Sequence, residues 1–148
     1  MTGTLVDAVS ALIVETFRLN GRLLASGDAL VADVGLTSAR WQVLGAMALS
    51  PVPLPVAHIA RNMGLARQTV QRLANDLERE GFVRFAANPH HQRAKLVLLT
   101  ARGQAAYAAA MERQKPWARC LTQGMSAQRL DAATAVLKAL RQRLDEGD

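Results

Sequence analysis

Cysteine, aromatic residues and long apolar runs are all scarce in this sequence. The single cysteine, Cys120, has no partner within the chain, which excludes an internal disulfide and favours a reducing compartment. Charged residues such as Asp7, Glu15 and Arg18 interrupt the apolar N-terminal stretch, so no run approaches the roughly 18 apolar residues of a membrane span. A basic segment leading into a cleavable apolar one is also missing, so we expect a cytoplasmic protein without a secretory signal.

Residue types typical of catalytic and metal centres are equally scarce. The sequence has three histidines, and two of them, His90 and His91, are neighbours in a stretch predicted to be a loop. Cys120 has no evident base partner, and no glycine-rich phosphate-binding motif is present. Three scattered histidines and one cysteine do not have metal-site spacing. We therefore expect no catalytic residue, no metal site and no cofactor, and we predict that the protein is not an enzyme.

Positive charge is abundant and unevenly distributed. The 18 Lys and Arg residues against 12 Asp and Glu give a net charge of +6. Residues 61–95 carry seven basic and three acidic groups, a local excess of +4, whereas residues 1–60 carry three basic and four acidic ones. Such a segment favours a polyanionic partner. Of the 18 cations 15 are Arg, which suits phosphate and guanine contacts but is equally expected from a GC-rich coding bias.

The apolar residues predict one domain, residues 1–148, of mainly α-helical type. Half of the sequence is apolar, which at this length allows a real core. Apolar residues recur at helical spacing, and residues such as Gly35, Thr37 and Gly81 mark helix boundaries. Pro116 is expected to kink or split the fifth helix. The predicted helices span residues 5–33, 38–49, 56–63, 66–80 and 101–121, with a last one from Ser126 to the C-terminus.

The central segment, residues 34–100, has the layout of a winged helix-turn-helix. A short helix, a tight turn at Gly64 and a second helix with a polar N-terminal half are typical of the helix-turn-helix. Residues 82–85 and 96–99 are predicted as two short strands of a ribbon with Arg93 and Lys95 near its tip. Because a first helix this long cannot be covered by one compact domain, the flanking segments, 1–33 and 101–148, are predicted to form dimerisation helices.

Nearly the whole chain resembles the MarR-type winged-helix transcriptional regulators of bacteria and archaea. The resemblance implies a homodimeric repressor of double-stranded DNA, whose recognition helix, here residues 66–80, enters a major groove while the wing reaches a flanking minor groove. In many relatives a small aromatic or phenolic molecule between the dimer helices and the DNA-binding lobe releases the DNA. The matching positions are Leu36-Thr37 before Trp41, Ile59-Ala60, Met63-Gly64-Leu65, Thr69-Val70, Arg72, Leu77-Glu78, Gly81-Phe82-Val83, Asn88-Pro89, Arg93-Ala94 and Leu99-Thr100.

Two positions depart from the family's sequence. Where family wings usually carry an acidic residue, this chain has His91, so the carboxylate that often steadies the wing arginine, here Arg93, is missing. The recognition helix begins at Ala66, where a hydroxyl cap is common, and loss of such a cap costs on the order of 1 kcal/mol. These departures keep open a second interpretation, a helical protein-interaction module of the same fold without specific DNA binding.

The candidate DNA-binding residues lie on the recognition helix and the wing. Arg suits guanine, Gln suits adenine and the Thr methyl group suits thymine, although a solvated helix face carries the same residue types. We expect Arg93 to enter a minor groove or to grip its phosphates. The predicted DNA-binding residues are Arg67, Gln68, Thr69, Gln71, Arg72, Arg93, Lys95, His90 and Gln92.

The candidate effector pocket is assigned to residues that are apolar or aromatic, because ligand pockets are mostly apolar with a few polar groups. The alternative for each is an ordinary core position. Cys120, beside Arg119, is a candidate oxidant sensor. The family's peroxide-sensing cysteine lies in the first helix, however, where this chain has none, so we expect a buried, inert thiol. The predicted pocket residues are Phe17, Trp41, Tyr107, Met111 and Trp117.

Overall fold

The computed structural model describes residues 3–147, which form six α-helices and three short β-strands. It divides into two units, one ending at Arg113 and one beginning at Gln114. The predicted fold class, mainly α with a small β-wing, is confirmed. The helices are α1 (Leu5–Val31), α2 (Ser38–Ala48), α3 (Val56–Met63), α4 (Arg67–Arg79), α5 (Ala101–Leu121) and α6 (Ala127–Glu146), and the strands are β1 (Leu54–Pro55), β2 (Val83–Ala86) and β3 (Leu96–Leu99).

Short polar side chains begin four of the helices, and at α5 the Thr100 hydroxyl accepts the N–H of Gly103 at 3.0 Å. The Thr4 hydroxyl accepts the N–H of Asp7, whose carboxylate accepts the N–H of Thr4 in return, so α1 starts with a capping box. Thr37 and Ser126 cap α2 and α6 in the predicted way. No side chain caps α3, which follows Pro55, or α4, which follows Ala66. The starts of α3 and α4 therefore keep unsatisfied backbone N–H groups.

The core of the first unit lies between α2, α3, α4 and the sheet. Apolar side chains at helical spacing on α2, α3 and α4 meet those of β2 and β3 in one cluster. Phe82 was predicted to open the first strand of the ribbon, but it precedes that strand, β2, and is almost fully buried. The largest fully buried side chains are those of Phe82, Leu44, Ile59, Leu77, Val31, Val43, Val70, Val83 and Val97.

The sheet has one strand more than the sequence predicts. Its antiparallel order is β1-β3-β2, and Val97 on the central strand pairs with Leu54 on one side and with Phe85 on the other. The additional strand is β1, which was not predicted because it lies in the proline-rich stretch at residues 50–55. An edge strand tolerates proline because one of its sides needs no ladder donor, and burial of Leu54 holds the strand in place.

The junction of α1 and α2 depends on Ser38, the only buried polar residue among those described. Its hydroxyl donates to the Leu24 carbonyl oxygen at 2.7 Å, and its backbone N–H donates to the Asp28 carboxylate at 2.7 Å. A side chain at Gly27 would collide with the Ser38 hydroxyl, so glycine is required for this close approach. The contacts fix α1 against the start of the helix-turn-helix lobe.

The second unit contains the last turns of α5 and all of α6. Pro116 lies inside a continuous α5, so of the two predicted outcomes, a kink or a split, the split does not occur. Proline removes only one hydrogen bond of the helix, and the hydrogen bonds of the other residues keep the turns together. No residue of α6 is buried, and several large apolar side chains on it are exposed. These are Leu130, Val136, Leu137 and Leu144.

Candidate nucleic-acid interface

Three buried residues determine which side of α4 faces solvent. Val70, Ala74 and Leu77 are completely buried and lie on one stripe of the helix. With about 100° between successive residues, Gln68 and Arg72 project opposite that stripe. Arg67 and Gln71 lie on one flank of the helix, and Thr69 lies on the other flank. The five predicted positions of α4 are therefore distributed over three directions.

The cations at the two ends of α4 differ in their partners. Near the C-terminal end, Arg79 forms an ion pair with Asp76 at 3.1 Å, and Glu80 forms one with Arg40, at the start of α2, at 2.5 Å. At the N-terminal end, Arg67 and Arg72 are exposed and form no ion pair with any described residue. The N-terminal half of α4 thus presents its positive charge to solvent.

The amide of Gln71 is oriented along the helix by its neighbour one turn later. Its Nε2 donates to the Asn75 Oδ1 at 3.0 Å, and the Gln71 side chain is half-buried. This contact between positions i and i+4 uses the Nε2 of Gln71 and leaves its Oε1 available as an acceptor. Thr69 is also half-buried, whereas Gln68 is exposed.

The tip of the wing is closed by hydrogen bonds between its own residues. Asn88 Oδ1 accepts the N–H of His90 at 3.0 Å, and the Asn88 carbonyl oxygen accepts the N–H of His91 at 3.3 Å. The His91 Nδ1 accepts the N–H of Ala94 at 3.2 Å. The imidazole therefore supplies a turn acceptor even though the family's carboxylate is missing. His90, Gln92, Arg93 and Lys95 are all exposed around this turn.

A cleft of about 320 Å³ lies between α4 and the wing. We call it the helix–wing cleft. Four predicted residues line it, namely Arg67, Gln71, Arg93 and Lys95, whereas Gln68, Thr69, Arg72, His90 and Gln92 are not part of its lining. Its other lining residues are Pro55, Val56, Ala57, Asn75, Glu78, Phe85 and Ala94.

Two polar residues of this cleft, Asn75 and Glu78, are not among the predicted site residues. They follow Gln71 by four and seven positions, which places them on the same flank of α4. That spacing is visible in the sequence and is the signal that identifies them. The start of α3 could not be identified in this way. It comes close to the wing because β1, the strand just before it, pairs with β3.

The effector candidates occupy different environments. Trp41 and Tyr107 are half-buried at the edge of the core, and a Cβ at Gly45 would lie 3.4 Å from the Tyr107 ring. Met111 is also half-buried, but Phe17 is 73% exposed on α1. Trp117 belongs to the second unit and is half-buried there. None of these residues lines the helix–wing cleft, so their role in a pocket stays a prediction.

Cys120 is exposed, so the prediction of a buried thiol is wrong. It lies in the last turn of α5, where Arg119 and Leu121 are exposed as well. Among the residues described, no group of three or more His, Cys, Asp or Glu side chains could hold a metal ion. Likewise, none of the helices in residues 3–147 has the length and hydropathy that crossing a membrane requires.

Sequence comparison relates this chain to known regulators. The model of the MarR family matches residues 34–94. A protein of Mycobacterium tuberculosis without a described function is 38% identical over 107 residues, which cover 72% of this chain and 73% of that protein. The transcriptional activatory protein BadR of Rhodopseudomonas palustris is 28% identical over 101 residues, covering 67% of this chain and 58% of BadR.

Structural comparison gives the same relationship over almost the full length. The M. tuberculosis transcriptional regulator MosR in complex with DNA has a TM-score of 0.74 and 25% identity, covering 90% of this chain and 96% of that one. CouR from Rhodococcus jostii bound to p-coumaroyl-CoA has a TM-score of 0.78, covering 95% and 96% of the two chains. At 21% identity, the similarity to CouR shows the fold alone.

Proposed function

Because the chain belongs to the MarR family of transcription regulators, we propose that it is a homodimeric repressor that binds specific DNA sites and is released by a small-molecule effector. One observation carries the DNA-binding part of this proposal. Arg67 and Gln71 of α4 line one cleft of the first unit together with the wing cations Arg93 and Lys95. In this proposal residues 34–100 form the DNA-binding lobe, and residues 1–33 and 101–148 form the dimerisation helices.

The proposed contacts follow from the directions of the side chains on α4. A B-DNA major groove is about 12 Å wide and admits an α-helix. Gln68 and Arg72 project away from the buried stripe, so they are placed to reach base edges when α4 enters the groove. Gln68 suits adenine and Arg72 suits guanine. Thr69, on one flank, is placed for a thymine methyl group or a phosphate.

Binding to a duplex from the gene's own promoter region tests this function. We expect a specific complex whose affinity falls about 10³ to 10⁵-fold between 50 and 200 mM salt if 6–10 phosphates are contacted. A scrambled duplex of equal length is the control, and it should bind much more weakly. Equal and weak binding to both duplexes would favour the alternative function, a protein-interaction module of the same fold without specific DNA binding.

The dimer is supported by apolar side chains that the chain leaves in solvent. On α1, Leu5, Val6 and Phe17 are 86%, 70% and 73% exposed. On α6, Leu144 is 74% exposed. Apolar surfaces of this kind usually mark an interface. Light scattering of the full chain at micromolar concentration should give the mass of two copies, and a Phe17→Glu substitution should lower it; a monomeric wild-type chain would contradict the dimer.

Repression and release are tested together with a reporter gene. Expression from the chain's own promoter should be low when the regulator is present and should rise when the effector is added. The relative BadR is named a transcriptional activatory protein, so the alternative is that this chain activates transcription. A fall in expression on deletion of the regulator would identify an activator.

The effector pocket is tested with the two tryptophans as separate reporters. A phenolic acid or its coenzyme A thioester should quench the fluorescence of a Trp117→Phe variant, in which Trp41 is the remaining tryptophan. The same compound should release DNA from the wild-type chain. The Trp41→Phe variant reports on Trp117 in the same way. Quenching of neither tryptophan by compounds that release DNA would remove these residues from the pocket.

A further inference from the structure

The cations of the helix–wing cleft have no partner among residues 3–147. Arg67 at the start of α4 and Arg93 and Lys95 in the wing are all exposed. Within residues 3–147, none of these three side chains forms an ion pair or a hydrogen bond. Three cations around one cleft repel each other, and an anion placed between them would relieve that repulsion.

Two further features make the cleft positive. With Glu78 as its one carboxylate, the lining has three positive charges and one negative, a net charge of +2. The start of α3, Pro55 to Ala57, also borders the cleft, and no side chain caps that helix. A helix start carries a partial positive charge and free N–H donors. The cleft is therefore suited to an anion rather than to an uncharged ligand.

The charged lining of the cleft favours a phosphate over an apolar effector. Pockets for small organic ligands usually measure about 300–1,000 Å³ and are mostly apolar. The helix–wing cleft, at about 320 Å³, is at the lower end of this range. Its apolar residues, such as Phe85 and Val56, share the lining with four charged side chains. A single phosphodiester group fits this chemistry.

We propose that the helix–wing cleft clamps one backbone phosphate of DNA between Arg67 of α4 and Arg93 and Lys95 of the wing. This inference rests on the proposed function. The phosphate would belong to the strand that separates the major groove, entered by α4, from the minor groove, reached by the wing. The consequence is a division of roles on α4. Arg67 positions the helix without reading sequence, whereas Gln68 and Arg72 read the bases.

The first test compares Arg67→Ala with Arg72→Ala. Loss of a phosphate contact weakens binding to all duplexes by a similar factor and reduces the salt dependence by about one counterion. Arg67→Ala should therefore weaken binding to the promoter duplex and to a scrambled duplex equally. Arg72→Ala should weaken binding mainly to the promoter duplex, by about tenfold or more. Arg67→Lys, which keeps the charge, should retain most of the affinity.

The second test removes the charge from the DNA instead. A series of promoter duplexes, each with one neutral methylphosphonate, should reveal one position at which the wild-type chain loses affinity and Arg67→Ala loses less. Arg93→Ala and Lys95→Ala should also lose less affinity than the wild type at the same position. If Arg67→Ala keeps full sensitivity at every phosphate, or if it changes the preferred base sequence, the inference is wrong.

Glu78 provides an independent test with the opposite sign. Removing the only carboxylate of the cleft should strengthen the binding of an anion there, so Glu78→Gln should bind both duplexes a few-fold more tightly. Unchanged or weaker binding would contradict a phosphate in this cleft.

The failure of the clamp can be distinguished from the failure of the proposed function. If the wild-type chain binds no duplex specifically, the proposed function is wrong. If it binds the promoter duplex and these variants behave otherwise, only the clamp fails. Circular dichroism of each variant checks its folding.

Discussion

The carbonyl oxygen of Phe82 occupies the space into which a side chain at Gly103 would project. The same oxygen accepts the backbone N–H of Thr100 at 3.1 Å, so α5 begins directly against the residue that leads into the wing. Glycine is the one residue that permits this approach. We predict that Gly103→Ala lowers the free energy of unfolding by about 3 kcal/mol, since backbone atoms would have to move. Urea denaturation measures the loss.

Gly21 provides the control for that substitution. It also lies inside a helix, but a Cβ there would meet no atom within 4 Å. Gly21→Ala should therefore raise the stability by about 0.5–1 kcal/mol, because alanine costs less backbone entropy in a helix than glycine. Similar stabilities of the two variants would show that the close approach of the Phe82 carbonyl oxygen does not exclude a side chain at Gly103.

Asp33 gives the fold a dependence on pH. Arg113 donates two hydrogen bonds to its Oδ2, at 2.7 and 3.2 Å, and these lower the pKa of the carboxyl group below its ordinary 3.8, although desolvation opposes them. A carboxylate with a lowered pKa stabilises the folded state above its unfolded pKa, and the stabilisation is lost as the pH falls through the folded pKa. Asp33→Asn should therefore lower stability at neutral pH and make no difference in strong acid.

Two measurements check this prediction. The urea midpoints of the wild type and of Asp33→Asn should differ at neutral pH and converge at a pH below the folded pKa of Asp33. A titration of the Asp33 carboxyl followed by NMR should also show the lowered pKa, and Arg113→Gln should return it toward 3.8. A carboxyl group that titrates normally in the wild type would contradict the role of the ion pair.

Ala66 offers a site at which stability can be gained. Its φ of −64° and ψ of 140° are those of a helix-capping residue, but its methyl group cannot accept a hydrogen bond. Ala66→Ser should place a hydroxyl within reach of the N–H of Gln68 or Thr69 and stabilise the chain by about 1 kcal/mol. Thermal denaturation measures the gain, and Ala66→Val, which adds no acceptor, should show none.

The sequence predicted the six helices and two of the three strands because each of these has a local cause. The stripe of Val70, Ala74 and Leu77 predicts α4, and the hydroxyls of Thr37 and Ser126 mark helix starts. The strand at Leu54 has no such signal. It exists because Val97 lies beside it in the folded chain, 43 positions later, and spacing along the sequence does not reveal a pairing of that range.

The candidate site was predictable only in part for the same reason. The residue types of Arg67, Arg93 and Lys95 indicated an anionic partner. Their convergence on one cleft, and the separation of Arg67 from Arg72, depend on how α4 is rotated against the core. Cys120 shows the opposite error, because its thiol was expected to be buried and is exposed. Burial depends on which face of α5 the rest of the unit covers.

His91 lies where relatives usually have a carboxylate, and the role of its imidazole can be measured. Its Nδ1 and its carbonyl oxygen both accept the N–H of Ala94, at 3.2 and 3.3 Å. Because His91→Ala removes only the first of these acceptors, it should speed amide hydrogen exchange at Ala94 by a few-fold. One hydrogen bond is worth about 0.5–1.5 kcal/mol, so DNA affinity should fall by tenfold or less. His91→Asp restores an acceptor and should keep the protection.

The neighbouring His90 is the matched control for this substitution. Only its backbone N–H is bonded, to Asn88, and its side chain makes no hydrogen bond with the residues described, so His90→Ala should leave the exchange at Ala94 unchanged. Because the turn positions Arg93 rather than reading bases, His91→Ala should affect specific and scrambled duplexes equally. A loss confined to the specific duplex would mean that the imidazole itself contacts the DNA, and fast exchange in His91→Asp would mean that only an imidazole closes the turn.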